Sequence, residues 1–160
     1  AILFYIVVYL IMNVGAFLVV GMIANVTGDE DIETYRGLAW RGAIVPATCM
    51  AVFLFSLTGL PPFAGFIGKF FLFSAVLKQG GAFGALALVA ALNSVISLYY
   101  YAKIVKTMFL DMPNPEDKPV AVAVNDFTLL IPLTVLTIVF GVYFGPLVQY
   151  TSQSLRFFVK

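Results

Sequence analysis

The stretch Ser56-Leu57-Thr58-Gly59-Leu60-Pro61-Pro62-Phe63-Ala64-Gly65-Phe66-Ile67-Gly68-Lys69-Phe70 decides how this chain is read. It lies inside 43–78, a run of 36 residues in which Lys69 and the terminal Lys78 are the only charges. As one straight helix that run would be about 54 Å long, well beyond the roughly 30 Å of a bilayer's hydrocarbon core. Pro61 and Pro62 lack backbone donors and disfavour helix immediately before them, so the run is interrupted at Thr58, Gly59, Leu60, Pro61 and Pro62. Two arrangements satisfy this. Either 43–57 and 63–78 form a hairpin turned at the membrane surface, or they are two halves of a discontinuous helix broken at membrane depth. A surface turn normally carries polar or charged side chains, whereas Ser56 to Gly68 has no charge and contains Leu57, Leu60, Phe63, Phe66 and Ile67. The buried break is favoured, and non-helical backbone at that depth needs protein around it or a water-filled cavity beside it.

Outward from this stretch the chain is a series of uncharged slabs. Of its 160 residues 62% are hydrophobic and 11% charged, against about 25% charged in an ordinary soluble domain. Six charges fall in 25–42 (Asp29, Glu30, Asp31, Glu33, Arg36, Arg41) and seven in 103–126 (Lys103, Lys106, Asp111, Glu116, Asp117, Lys118, Asp126). Arg156 and Lys160 lie at the C-terminus. The uncharged runs 1–28, 42–68, 79–102 and 127–155 are each long enough to cross a bilayer. The expected architecture is an all-α polytopic membrane protein of about four spans, at 1–25, 43–78 (broken), 82–108 and 127–150. The third span opens in a small-residue tract (Gly80, Gly81, Ala82, Gly84, Ala85) that permits close helix approach. It closes on Tyr99-Tyr100-Tyr101 with Lys103 and Lys106, the pattern of an aromatic belt with snorkelling lysines.

With four spans, loops 25–42 and 111–126 share one face. That face carries Arg36, Arg41, Lys103, Lys106 and Lys118 against Lys78, Arg156 and Lys160 opposite, which by the positive-inside rule makes both loops cytoplasmic. A net charge of +1 offers no field for nucleic acid. With one cysteine, Cys49, and no histidine, neither an intrachain disulfide nor a Cys/His metal site is expected. The chain opens on Ala1 in an apolar run without a charged leader region, and reads as a fragment that starts at the edge of a helix.

Lys69 is the charge out of place. It lies about 13 Å along a helix from Lys78, further than a lysine stem comfortably reaches, so it snorkels only if the prolines are at the surface. An ionisable residue at membrane depth usually faces a bundle interior, pairs, or relays ions or protons. Burial disfavours the charged form of a lysine, the physical basis for proton exchange at such a position. All eight acids lie in loops, so a counter-ion would come from outside this chain. Asn93, Ser94 and Ser97 form a polar stripe on the third span, suited either to interhelical hydrogen bonding or to lining a water path to Lys69.

The stretch 56–70 resembles the signature around the broken helix of the antiporter-like, proton-translocating membrane subunits of respiratory complex I (NADH:quinone oxidoreductase). Its Gly-Phe-Ile-Gly-Lys-Phe form, 65–70, is most similar to the subunit N branch, as are Val8 to Phe17 and Asn93 to Tyr101. In the M-type sister a glutamate stands where Lys69 is here, and the L-type sister continues into a long lateral helix. The resemblance implies the last four helices of a longer inverted-repeat bundle in a bacterial inner membrane, with the second of its two broken helices at 43–78. It also implies proton translocation with Lys69 as the relay of the second half-channel. NADH, flavin, iron–sulfur clusters and quinone would belong to other subunits. The partners implied are the lipid bilayer, the other membrane subunits of complex I and protons carried through internal water. Without the family's earlier helices the fragment would not conduct protons alone. A multisubunit cation/proton antiporter shares the broken-helix design, and a structural anchor with a paired buried lysine is the reading from a different class.

Overall fold

The computed structural model describes residues 1–81 and 83–158, side chains excepted at 152 and 154–158. Ala82, Lys160 and the side chain of Arg156 lie outside the described residues. The described chain is helical: α1 (Ile2–Thr27), α2 (Ile44–Thr58), α3 (Ala64–Leu77), α4 (Phe83–Phe109), α5 (Phe127–Val142) and α6 (Gly145–Phe158), with 3₁₀ turns at Ile32–Tyr35 and Val124–Asp126. Three stretches are long and apolar enough to cross a membrane, Ile2–Thr27, Phe83–Phe109 and Val124–Val142, while α2 and α3 are shorter apolar helices on either side of the prolines.

The packing along α1 separates the two arrangements of 43–78. A hairpin would lay α2 and α3 side by side against one part of a neighbour. Here the N-terminal half of α1 meets α3: Phe4, Val8 and Met12 cluster with Ala64, Ile67 and Phe71, the Phe4 and Phe71 rings are 5.6 Å apart edge to face, and Gly68 lies against Tyr5. The middle and C-terminal half of α1 meet α2: the Phe53 ring sits over Gly15, and Val19, Met22 and Ile23 share a core with Ala47, Met50 and Leu54. The two short helices are therefore stacked end to end along one long helix and run opposite to it.

The break is closed as a Schellman turn. Leu60 N–H donates to the Phe55 carbonyl at 3.0 Å and Gly59 N–H to that of Ser56 at 2.9 Å, with Gly59 at φ 93°, a left-handed conformation that favours glycine. The Pro61–Pro62 peptide is cis, Phe63 is extended, and α3 begins at Ala64. Two further glycines let the ends come together. Gly65 sits so close to α2 that a Cβ would collide with the Ser56 carbonyl, and its N–H donates to the fully buried Ser56 Oγ at 3.0 Å. Gly141 of α5 likewise leaves room for the Pro62 carbonyl.

The fourth apolar stretch is divided where a single span over 127–150 was expected. A helix continued through Pro146 would lose the hydrogen bond to the Val142 carbonyl and drive the proline ring into it. Helix α5 accordingly ends at Val142, Tyr143 leaves helical geometry (φ −120°, ψ 70°), and α6 starts at Gly145 with Pro146 in its first turn.

Loops 25–42 and 111–126 are joined on one face. Gly37 N–H, Ala39 N–H and Trp40 Nε1–H donate to the carbonyls of Thr107, Met108 and Phe109, which as the end of α4 have no partner within their own helix. Val120 N–H donates to the Arg41 carbonyl at 2.7 Å, and Arg41 Nε to the Lys118 carbonyl at 2.9 Å.

Candidate functional site

Helix α3 carries Lys69 in its second turn, with the side chain directed back toward the break, as helical side chains tilt toward the N-terminus. Its methylenes lie on Gly59, where a Cβ would come within 2.9 Å of Cδ. Nζ donates to the Thr58 carbonyl at 2.9 Å and to Ser94 Oγ at 2.8 Å, and Ser94 Oγ reaches the Ala90 carbonyl at 3.1 Å. Thr58 ends α2, so the ammonium faces the negative end of that helix's dipole, which favours a cation. The Thr58 hydroxyl is occupied separately, donating to the Leu54 carbonyl at 2.9 Å. Among the described residues Lys69 has no carboxylate partner; the two ion pairs, Arg36–Glu33 and Lys106–Asp111, belong to the loop face.

Two cavities adjoin the lysine. The larger, about 310 Å³, is lined by Tyr5, Leu72, Phe73 and Ala90 and by all three residues of the polar stripe, Asn93, Ser94 and Ser97. The smaller, about 200 Å³, lies against the break at Thr58, Gly59, Phe66 and Ala91. The stripe is not uniform. Ser94 bonds Lys69 directly, Ser97 donates to the Asn93 carbonyl at 2.8 Å while accepting from Tyr100 Oη at 3.1 Å, and the Asn93 carboxamide is exposed. Of the break residues, Thr58 and Gly59 touch the lysine, Leu60 closes the turn, and Pro61 and Pro62 separate the halves and bring the Pro62 carbonyl against α5. Sequence reasoning missed Tyr5 as a wall of the cavity and the Thr58 carbonyl as the acceptor. Its signal for the second was the break itself, since a helix end leaves carbonyls without intrahelical partners.

The loop face is polar and separate from this site. A cavity of about 380 Å³ there is lined by residues including Asp29, Arg41, Glu116 and Lys118. The Asp31 backbone N–H holds the Asp29 carboxyl below the usual carboxylate range, helped by the Thr34 hydroxyl, and the Lys106 ammonium does the same for Asp111.

A helix broken at paired prolines, with a lysine folded back onto the exposed carbonyl, sits within a longer region of family likeness. Residues 1–97 match the family described as the NADH:quinone oxidoreductase/Mrp antiporter transmembrane domain. The chain belongs to this family. Nearly the whole of this antiporter-family chain is also similar to individual relatives. It is 48% identical over 164 aligned residues to the NADH-quinone oxidoreductase subunit N of Anaeromyxobacter sp. (strain Fw109-5), covering 99% of the chain and 32% of the relative. It is 49% identical over 158 to the NADH-quinone oxidoreductase subunit N 2 of Sorangium cellulosum (strain So ce56), covering 97% and 31%. With subunit N of Chlorobium chlorochromatii (strain CaD3) the identity is 44% over 164, covering 99% and 31%. The chain thus spans about a third of the length of the curated relatives it matches. As a member of a membrane-domain family, with three helical stretches long and apolar enough to cross a bilayer, this antiporter-family chain is an integral membrane protein.

Proposed function

We propose that this chain is part of a proton-translocating membrane subunit of NADH:quinone oxidoreductase and that Lys69 passes protons across the broken helix. The observation that carries this reading is the lysine's pair of hydrogen-bond partners, the Thr58 carbonyl and Ser94 Oγ. An ammonium donates to both. A neutral amine still donates to the carbonyl but has a lone pair to satisfy, and the Ser94 hydroxyl, otherwise directed at Ala90, rotates to donate to it. The site therefore accommodates the lysine with and without its extra proton, at the expense of one rotated hydroxyl. The larger cavity has room for several waters, each of which takes about 30 Å³ in liquid, and Ser97 and Asn93 supply polar partners along it. A proton reaching Lys69 through that cavity would leave past the smaller one at the break.

The relatives' name, NADH-quinone oxidoreductase subunit N, supports assembly with other membrane subunits; on this reading flavin, iron–sulfur clusters and the NADH and quinone sites would belong to other chains. Their bacterial sources support a bacterial inner membrane, and the five basic residues of the joined loop face support its cytoplasmic orientation. Isolation of the tagged full-length protein, wild type and Lys69→Met, from its native membrane tests the reading. Both are expected with an NADH-oxidising, iron–sulfur-containing assembly, and the variant assembly is expected to pump poorly. Recovery with a cation-dependent antiporter lacking redox cofactors would overturn the assignment to the oxidoreductase. Undiminished pumping by an intact variant assembly would leave Lys69 a structural lysine.

A further inference from the structure

Lys69 Nζ bridges two helices that are joined again far from it. Thr58, whose carbonyl it bonds, lies 14 residues along α2 from Ile44, and Ser94, whose hydroxyl it bonds, lies 14 residues along α4 from Met108. At 1.5 Å per residue each run is about 21 Å of helix. Pro46, the one proline in either run, sits in the first turn of α2, where it is tolerated, so both runs are continuous. The far ends are fixed to each other by the segment just before α2. Gly37 N–H donates to the Thr107 carbonyl at 2.9 Å, Ala39 N–H to that of Met108 at 3.1 Å and Trp40 Nε1–H to that of Phe109 at 2.9 Å. Among these donors Leu38 is fully buried, in one core with Met108, Ala43 and Ala47. From Leu88 to Phe109 the buried positions of α4 are Thr107 and Met108, so this end is where the helix is held.

We infer that Gly37, Ala39 and Trp40 are positioning residues for Lys69: by fixing the axial register of α4 against the start of α2, they set, from the loop face, where Ser94 Oγ stands relative to the Thr58 carbonyl. Three successive carbonyls matched to three donors admit one register. A slide of α4 by one residue would be about 1.5 Å, and an unbroken helix carries it undiminished to Ser94. Gly37 holds a left-handed conformation (φ 59°) with the Pro113 ring against it, so an added methyl strains the backbone and meets that ring. Trp40 is 68% exposed, so its indole N–H contributes more to the clamp than its packing does. The consequence for proton movement rests on the relay proposed above, whereas the consequence for register does not.

Gly37→Ala and Trp40→Phe in the full-length protein, each with Ser94 present and in a Ser94→Ala background, test this in the assembled complex. Nitroxide labels on cysteines placed at Ile44 and Leu92, both exposed, read the slide of α4 along α2. Relative to wild type, the Gly37→Ala distance is expected to be displaced or broadened by about 1–2 Å, the scale of helix shifts. Trp40→Phe, which loses one of the three bonds, should show a smaller change in the same sense. Protons moved per NADH oxidised in inverted vesicles should fall in the same order while Ser94 is present. In the Ser94→Ala background neither loop change should lower the ratio further, because residues acting through one partner are not additive. An unchanged distance in every variant that assembles would overturn the inference. So would equal losses of the ratio with and without Ser94, which would mark a general loosening of the fold. If Lys69→Met and Ser94→Ala both pump as wild type, the relay fails and the distance alone decides the register. If Gly37→Ala does not assemble, Trp40→Phe decides it.

Discussion

Placing an alanine at Gly65 probes the seam between the two half-helices. A Cβ there meets the Ser56 carbonyl, a backbone atom that cannot swing aside, so α3 must move off α2. Overpacking of this kind costs about 1–3 kcal/mol. The shift also stretches the 3.0 Å bond from Gly65 N–H to the buried Ser56 Oγ, a loss of about 1 kcal/mol, which is offset by the gain of about 1 kcal/mol from replacing a helical glycine with alanine. The net expectation is a destabilisation of about 1–3 kcal/mol, set by the overpacking. Gly21 in α1 supplies the contrast, since a Cβ there has nothing within 4 Å, and Gly21→Ala should stabilise by up to about 1 kcal/mol. Unfolding of the purified full-length protein by dodecyl sulfate titration, followed by loss of helix signal, reads both. Opposite signs are predicted. A Gly65→Ala protein as resistant as wild type would refute the close stacking of α3 on α2.

Other perturbations follow from the same geometry. Ser94→Ala leaves Lys69 Nζ with the Thr58 carbonyl alone among its two partners, removing a charge-assisted bond typically worth about 1.5–3 kcal/mol; pumping should fall while the complex still assembles, and an unchanged pH profile of pumping would count against Ser94 as the lysine's partner. Arg41→Met loses the guanidinium bonds to the Lys118 and Thr34 carbonyls, so proteolysis within 111–119 should quicken, and an unaltered cleavage rate would show that the loops do not depend on that residue. Asp111, held below the ordinary carboxylate range by Lys106, contributes to loop ordering above its unfolded pKa of about 3.9 and loses that contribution as pH falls through its lower folded value; Asp111→Asn should remove this acid-limb dependence of amide exchange around 106–111, and a dependence that survives the change must come from another group. Phe63→Cys, at the break, should react with a membrane-impermeant maleimide far more slowly than Ile32→Cys on the exposed loop face; equal rates would return the prolines to the membrane surface.

The proline pair made the break legible in sequence, because loss of backbone donors acts locally whatever surrounds it. The absence of charge from Ser56 to Gly68 likewise pointed to depth, and the alternation of apolar runs with charged loops located α1 and α4. What sequence withheld depends on register between distant segments. That Gly65 rests on Ser56, that Gly141 admits the Pro62 carbonyl, and that Gly37, Ala39 and Trp40 serve the last carbonyls of α4 are contacts that follow from packing and have no periodicity of their own. The division of 127–150 was only partly within reach: Pro146 disfavours a continuous helix, but Pro132 is accommodated within α5, so a single proline does not mark the break as the Pro61-Pro62 pair does, and hydropathy over the stretch masked it. For the site, spacing put Asn93, Ser94 and Ser97 on one face of a helix, while the rotation that lets Ser94 alone touch Lys69 is set by how α4 lies against α3.

The claim that Lys69 relays protons is met most directly by the ratio of protons moved to NADH oxidised. Inverted membrane vesicles containing the assembled complex would be used, with wild type and Lys69→Met compared at matched NADH oxidation rates. The relay predicts a lower ratio for Lys69→Met than for wild type, with no recovery in Lys69→Arg, which restores the charge but does not release its proton. Equal ratios in all three would contradict it.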